Sequence, residues 1–231
     1  MCGEDSSVEL LVHACTDEDS AYYGIKAAAE YEKYYTSVGF HPECCDRLPD
    51  NYMEILEKLV TLSDKIVAVG EVGLDYHYEG YDKALQIKLL CDQIEFAQKH
   101  DLPLIFHCRD ATADFLEILH KYKPKGVVHC FTGAPEVANE IVELGLYVGF
   151  TGALTFKNAK KVKKSFAEVP IDRILLETDC PYMAPEPNRG KRCTSDMIEF
   201  TAACGAEIKN IAPQQLVDAA NRNTRTLFNI K

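Results

Sequence analysis

The chain has 231 residues and a formal net charge of −11, with 47% hydrophobic and 26% charged residues. This composition is that of a soluble globular protein, and no run of residues approaches the ~20 apolar positions that span a bilayer. The acidic start of the chain argues against a secretory signal, and the negative charge argues against broad electrostatic adhesion to nucleic acid. None of the ten cysteines forms a Cys-x-x-Cys pair, which favours reduced thiols. We therefore expect a cytoplasmic protein with no membrane partner.

Short apolar runs alternate with longer helical patterns along the whole chain. The runs lack the in/out alternation of half-exposed strands and predict a buried parallel sheet, with strands at residues 8–14, 35–40, 66–71, 104–107, 126–129, 146–150 and 174–177. Between and after them, helices are predicted at residues 19–34, 52–62, 82–100, 111–121, 135–144, 158–168, 195–209 and 213–228. No linker interrupts the series, so we expect one α/β domain over residues 1–231.

Seven β-α units fit a parallel barrel, in which each unit takes about 31 residues. The open alternative is a doubly wound sheet, which favours a glycine-rich phosphate loop after its first strand. Here the first predicted strand is followed by Thr16, Asp17 and Glu18, with no glycine fingerprint. The barrel is therefore the preferred fold.

Reactive side chains recur where the predicted strands end. Glu71, His107 and His129 end such strands, while His41 directly follows another and Asp179 lies two residues beyond the last. Since parallel barrel strands open at one mouth, we expect these residues to converge there. Two imidazoles and two carboxylates suit Zn, Mn, Fe or, less comfortably, Mg. Such an ion lowers the pKa of bound water from ~15.7 to near 7, as hydrolysis requires.

Each of these residues alone has a plainer interpretation, as a hydrogen-bonded strand-end histidine or as a helix cap. Glu71 is the candidate for a carboxylate that bridges two ions. Arg109 is suited equally to a substrate phosphate and to an acidic neighbour. Asp110 is expected to cap the helix that follows it, and His77 is expected to be structural.

Five segments resemble the signature blocks of the TatD family of metal-dependent deoxyribonucleases. They are VGEVGLDY at 69–76, HCRDA at 107–111, HCFTG at 129–133, LETDCPY at 176–182 and PNRGKR at 187–192. The resemblance implies a (β/α)8 barrel with one or two divalent ions (Mg, Mn or Zn). It also implies cleavage of phosphodiester bonds in DNA, often from the 3′ end, so the expected partner is a DNA strand or strand end.

The resemblance also implies roles for single residues. Glu71 is similar to the bridging carboxylate of the family, and His107 and His129 to the ligands of one ion. Asp179 is similar to a ligand of the other ion and to the base for the attacking water. His41 is similar to the family histidine that faces the scissile phosphate or the leaving group.

Positive charge near the expected site identifies candidate contacts to the DNA backbone, which would be read through its phosphates. These candidates are Arg109, Arg189, Lys191 and Arg192.

One departure from the family pattern concerns the start of the chain. Family members begin with a strand that commonly ends in a His-x-His pair, whereas residues 8–14 are similar to the family's second strand. We therefore expect a TIM-type (β/α)8 barrel with the first β-α unit missing and seven strands in this chain. In that case Glu71 and Asp179 alone remain of the first metal site, and the first and last strands each have an unpaired edge.

Two other functions remain open at this point. The first is an amidohydrolase-like enzyme acting on a small ester, lactone or cyclic amide. The second is an inactive remnant or an interaction module that has lost its chemistry with the first strand. Salt dependence separates the nuclease from an enzyme on a small neutral substrate, and metal binding separates both from the remnant.

Overall fold

The structure is a computed structural model, and it describes residues 8–231. The acidic start of the chain, on which the argument against a signal rests, lies outside this range. The described chain packs as two compact units, Leu10–Gly126 and Val127–Lys231, the second together with Val8 and Glu9. That the two form one domain stays a prediction. Between residues 8 and 231, no helix is both long and apolar enough to cross a bilayer.

The first unit is built from parallel strands that pair in chain order. They are β1 (Leu11–His13), β2 (Tyr34–Val38), β3 (Ile66–Asp75) and β4 (Leu104–Arg109). The helices of this unit are α1 (Glu18–Glu30), α2 (Tyr52–Leu59), α3 (Lys83–Lys99) and α4 (Thr112–Tyr122). Asp17 begins α1, since its side chain accepts from the Ser20 N–H (2.8 Å) and completes a capping box.

The second unit repeats the alternation of strand and helix. Its parallel strands, again in chain order, are β5 (Gly126–Val128, which begins at the last residue of the first unit), β6 (Tyr147–Phe150) and β7 (Ile174–Leu176). Its helices are α5 (Pro135–Glu143), α6 (Lys160–Glu168), α7 (Ile198–Lys209) and α8 (Pro213–Phe228). Buried Asn223 of α8 ties that helix to β7 by donating to the Ile174 carbonyl (2.8 Å).

The core of each unit lies between the strands and their helices. In the first unit it includes Phe106 and Phe115, whose rings meet edge to face at 5.4 Å. In the second, Phe150 and Phe166 meet in the same way at 4.8 Å. Burying each such side chain stabilises the fold by roughly 1.5–3 kcal/mol, so the strands that carry the reactive residues are held rigidly. The described cysteines are free thiols, from Cys15 to Cys204.

Candidate metal centre

Three of the predicted site residues meet in the first unit. His41, Glu71 and His107 each offer a ligand atom, and these atoms lie within 4.8 Å of one another. His107 Nδ1 is 2.8 Å from Glu71 Oε1, and His41 Nε2 is 3.5 Å from the same oxygen. All three side chains are largely buried, which strengthens the interaction of any charge placed among them.

A β-bulge aims Glu71 into this cluster. In the pairing of β3 with β4, Gly70 lies opposite Ile105 and Val72 lies opposite Phe106, so Glu71 is the extra residue. Its own N–H donates to the Cys15 carbonyl instead. A bulge of this kind turns one side chain away from the regular alternation of the strand, and here it allows β3 to continue past Glu71 to Asp75.

Gly73 allows β3 to approach β4 closely beside His107. A Cβ atom on Gly73 would lie 1.8 Å from the His107 carbonyl oxygen, far inside van der Waals contact. The glycine therefore sets how near the strand that carries Glu71 comes to the strand that carries His107.

The orientation of the His107 ring is fixed by Asp75. His107 Nε2–H donates to Asp75 Oδ2 (2.9 Å), because a carboxylate can only accept. With Nε2–H held by that carboxylate, as in a metal-binding histidine, Nδ1 is the ring nitrogen that would bind an ion beside Glu71, in the form in which it carries no proton. Burial favours the neutral acid, but the hydrogen bonds from His107 and from the His77 N–H (2.9 Å) outweigh it. They hold the pKa of Asp75 below its ordinary value, so it stays a carboxylate.

His41 is oriented by the turn that it begins. It precedes the short 3-10 helix Pro42–Arg47, and Pro42 suits the first position of that helix because it has no N–H to satisfy. The Glu43 N–H donates to His41 Nδ1 (3.3 Å), which leaves Nε2 facing Glu71. The resemblance implies that His41 faces substrate, and the structure places it among the candidate ligands.

Two buried glutamines of α3 hold the strand ends that carry these residues. Gln93 accepts from the Phe40 N–H (2.7 Å) and donates to its carbonyl (3.0 Å), next to His41. Gln86 makes the same pair of bonds with the Asp75 backbone, both at 2.8 Å. Because a buried amide that makes both bonds has one stable orientation, α3 fixes the ends of β2 and β3 relative to each other.

The cluster fits a divalent cation. Ligand atoms bound at ~2.1 Å and at right angles lie roughly 3 Å apart, close to the 2.8 Å between His107 Nδ1 and Glu71 Oε1. Imidazole nitrogen with carboxylate oxygen is the donor set of Zn and Mn sites. The three residues could therefore hold such an ion without rearrangement of their backbone.

In the second unit, His129 lies against a carboxylate that the sequence motifs contain but to which we assigned no role. His129 Nδ1 is 3.4 Å from Glu177 Oε2, and the other oxygen of Glu177 accepts from the Cys130 N–H. Gly149 makes room for this carboxylate, since a Cβ there would lie 2.7 Å from it. Asp179 follows β7 with φ 57°, a left-handed conformation that Asp tolerates better than most residues.

The predicted phosphate contacts lie on the surface. Arg109 sits over the Tyr78 ring at 5.3 Å, and Arg189 sits over the Phe156 ring at 4.2 Å. The remaining two, Lys191 and Arg192, are also exposed.

The prediction that Asp110 caps α4 is wrong. Asp110 has φ 54°, the residue before α4 is Ala111, and no side chain caps that helix. Instead the Asp110 carboxylate is 2.8 Å from His77 Nδ1. The physical reason is that Asp110 lies one residue too early and in a left-handed turn, whereas a capping residue has extended backbone.

The sequence patterns missed the residues that orient the centre. Asp75 lies inside a family-like block but gave no strand-end signal of its own, and Gln86 and Gln93 lie on a helix. Glu177 ends the predicted strand at 174–177 but received no role. The available signal was a polar residue on the buried stripe of α3, because a buried glutamine requires a hydrogen-bonded partner.

Replacing Asp75 by asparagine is expected to weaken divalent-ion binding by about 10–100-fold. The neutral amide cannot increase the basicity of His107, and it can present N–H₂ to the ring. Titration of Mn²⁺ into the purified variant measures the effect. The exposed Asp64→Asn, which removes the same charge, is the control. Equal affinity in the Asp75 variant and the wild type would exclude this orienting role.

Known proteins resemble this chain over nearly its whole length. A family sequence model described as TatD related DNase matches residues 3–229. The chain is 37% identical over 227 residues to YabD of Bacillus subtilis, an "uncharacterized metal-dependent hydrolase", covering 96% of this chain and 88% of that protein.

Solved structures show the same likeness. The crystal structure of YjjV, a TatD homologue from Escherichia coli K12, superposes with a TM-score of 0.92 at 28% identity, covering 97% of this chain and 88% of that chain. A TatD family hydrolase from Entamoeba histolytica gives 0.82 at 27% identity, with 96% and 84% covered. The predicted α/β fold class, a TIM-type barrel short of one β-α unit, is thereby confirmed, with seven strands among residues 8–231.

Proposed function

From the premise that this chain belongs to the TatD family of metal-dependent hydrolases, we propose that it hydrolyses phosphodiester bonds in DNA. The observation that supports the proposal most is the cluster of His41, Glu71 and His107, with ligand atoms within 4.8 Å of one another. Hydrolysis of a phosphodiester requires neutralisation of the phosphate charge and activation of a water molecule. A divalent ion supplies both, and these donor atoms suit such an ion.

The residues of the cluster have different roles in the proposed reaction. A divalent ion held there would supply a Lewis acid for the phosphate and activate a water at neutral pH. Glu71 and His107 would hold that ion, and Asp75 orients the His107 ring for it. His41, whose Nδ1 accepts from the backbone, turns Nε2 toward the same position. There Nε2 would either complete the ligand set or, as the family resemblance implies, donate its N–H to a phosphate or leaving-group oxygen.

Residues of the second unit enter the proposal through their motifs. Asp179, in the block at 176–182, is taken as the base that accepts the proton of the attacking water. His129, in the block at 129–133, is taken as a further metal ligand. The exposed Arg189, Lys191 and Arg192 are taken as contacts to phosphates of the DNA backbone.

The negative charge of the protein limits the form of its substrate. With a net charge of −11, few phosphates can be attracted at once. We therefore propose that the substrate is a short single strand or a strand end, bound through a few phosphates, and not a long duplex bound along its length.

The proposal is tested by incubating purified protein with end-labelled oligonucleotides and Mg²⁺, Mn²⁺ or Zn²⁺, with EDTA as the control. We expect cleavage that requires the metal. With about three phosphate contacts, log KM should rise with log salt concentration with a slope of roughly 2. Absence of DNA cleavage with all three ions, together with salt-independent hydrolysis of a neutral ester or lactone, would contradict the proposal and favour an amidohydrolase-like enzyme.

A further inference from the structure

The loop from Tyr76 to Asp82, between β3 and α3, is rich in aromatic rings. It carries Tyr76, His77, Tyr78 and Tyr81, and none of these residues belongs to the candidate metal cluster. Single exposed aromatic side chains are ordinary on protein surfaces. Four rings within six positions beside a candidate active site are not ordinary, and they suggest a surface for a flat ligand.

The base of this loop is rigid. The Tyr76 N–H donates to the Arg109 carbonyl (3.0 Å), and the Tyr76 hydroxyl donates to Asp114 (2.9 Å). The Tyr81 ring stacks on the Tyr76 ring at 4.6 Å with an angle of 6° between the planes. These contacts hold Tyr76 and Tyr81, and Tyr78 lies on the chain between them.

Tyr78 is the outermost of these rings. Tyr78 is 56% exposed, compared with 43% for Tyr81. The Arg109 guanidinium lies 5.3 Å from the ring centroid, and Arg109 Nη1 lies 3.4 Å from the Tyr78 hydroxyl oxygen. The His77 ring meets Tyr78 edge-on at 5.1 Å. An exposed aromatic ring (Tyr78) and a guanidinium (Arg109) therefore lie side by side on the surface.

This pair comes from the same strand ends as the metal cluster. Asp75, which accepts from His107, is three residues before Tyr78 on the chain. Arg109 is two residues after His107 on β4, so the two side chains leave the strand on the same side, with their Cα atoms roughly 7 Å apart. A phosphodiester bound at the cluster would bring the neighbouring nucleotide to Tyr78 and Arg109.

We infer that Tyr78 and Arg109 form a subsite for an unpaired nucleobase and its phosphate, next to the phosphodiester that is cleaved. The inference rests on the proposed function and goes beyond it by naming the residues that bind the DNA strand next to the cleaved bond. Every base has a π-face that can stack on tyrosine, and a guanidinium pairs with phosphate oxygens in bidentate fashion. In a duplex both faces of each internal base are already stacked, so the subsite selects unpaired ends.

The exposed Glu79 in the same loop repels a phosphate, so electrostatic attraction alone would not bind the strand there. The loop therefore attracts its ligand through the rings more than through charge. Removal of the base should weaken binding, even though the phosphates remain.

The absence of tryptophan from the chain allows a direct optical test. In Tyr78→Trp the single indole reports on the subsite, and a stacked base quenches its emission. The probe is a short phosphorothioate oligodeoxyadenylate, which resists hydrolysis, added with Mg²⁺. The matched control is Tyr23→Trp on α1, at a position of equal exposure (55%). We expect saturable quenching in Tyr78→Trp, none in Tyr23→Trp, and none with an abasic strand of the same length.

Kinetics with a cleavable strand give the second measurement. Tyr78→Ala should raise KM by about tenfold with kcat within about twofold, while Tyr78→Trp and Tyr23→Ala keep the wild-type KM. On an abasic strand, Tyr78→Ala and the wild type should have the same KM. Equal quenching by normal and abasic strands, or an unchanged KM in Tyr78→Ala, would overturn the subsite. Since quenching is read without turnover, a chain that binds the strand but does not cleave it would contradict the proposed function and leave the subsite supported.

Discussion

Replacement of Glu71 by glutamine is expected to lower kcat/KM for metal-dependent hydrolysis by on the order of 10³-fold or more, equivalent to about 4 kcal/mol of transition-state stabilisation. One oxygen of Glu71 lies 2.8 Å from His107 Nδ1 and 3.5 Å from His41 Nε2. Glutamine keeps the size of the side chain but removes the negative charge that would balance a cation bound beside the two imidazoles. Rates measured over a series of Mn²⁺ concentrations give the effect.

The control for this substitution is Glu54→Gln, the same chemical change at an exposed position of α2. It should have the wild-type rate. Circular dichroism and thermal unfolding of the Glu71 variant should show an intact fold, because the change preserves volume. A Glu71→Gln protein with the wild-type rate at saturating metal would remove Glu71 from the mechanism.

Replacement of Asp179 by asparagine is the second large effect that we expect. Loss of a general base reduces the rate by about 10²–10⁴-fold, and kcat should fall rather than KM rise. Asp179 has φ 57°, and asparagine tolerates this left-handed backbone as well as aspartate does. A loss of activity is therefore attributable to chemistry and not to strain.

Single-turnover cleavage of a labelled oligonucleotide measures the Asp179 effect. Asp172→Asn, an exposed change in the short helix before β7, should leave the rate unchanged. If Asp179→Asn cleaved DNA as fast as the wild type with Mg²⁺ or Mn²⁺, another group would have to accept the proton.

The helices and strands could be predicted from the hydrophobic pattern and from the proline and glycine residues at their ends. Helix α8 has the predicted limits, because Pro213 opens it and its apolar face is continuous. Strand β3 runs on to Asp75, beyond its predicted end at Glu71, because a polar residue flanked by glycines resembles a strand end. The bulge that carries Glu71 depends on pairing with β4, and no local pattern reports a register set by a strand far along the chain.

The sequence pattern singled out the three residues of the cluster, with His41 as a substrate contact and not as a ligand, but it did not identify the residues that support them. His41, Glu71 and His107 stand out because each follows a buried apolar run. Asp75 gives no such signal, since its role arises only when the bulge brings β3 alongside His107. Gln86 is identified only by its burial on α3. The role of a supporting residue depends on contacts between segments far apart in the chain. The periodicity of the sequence does not report such contacts.

The most direct test of the account is the binding of Mn²⁺ to purified, metal-free protein, followed by electron paramagnetic resonance. The account predicts that the wild type and Glu54→Gln bind at least one ion per chain with equal affinity. Glu71→Gln and His107→Ala should bind that ion at least about 100-fold more weakly. A wild type that takes up no ion from excess metal, or a Glu71→Gln protein that binds as the wild type does, would contradict the claim that these imidazole and carboxylate groups enclose a cation.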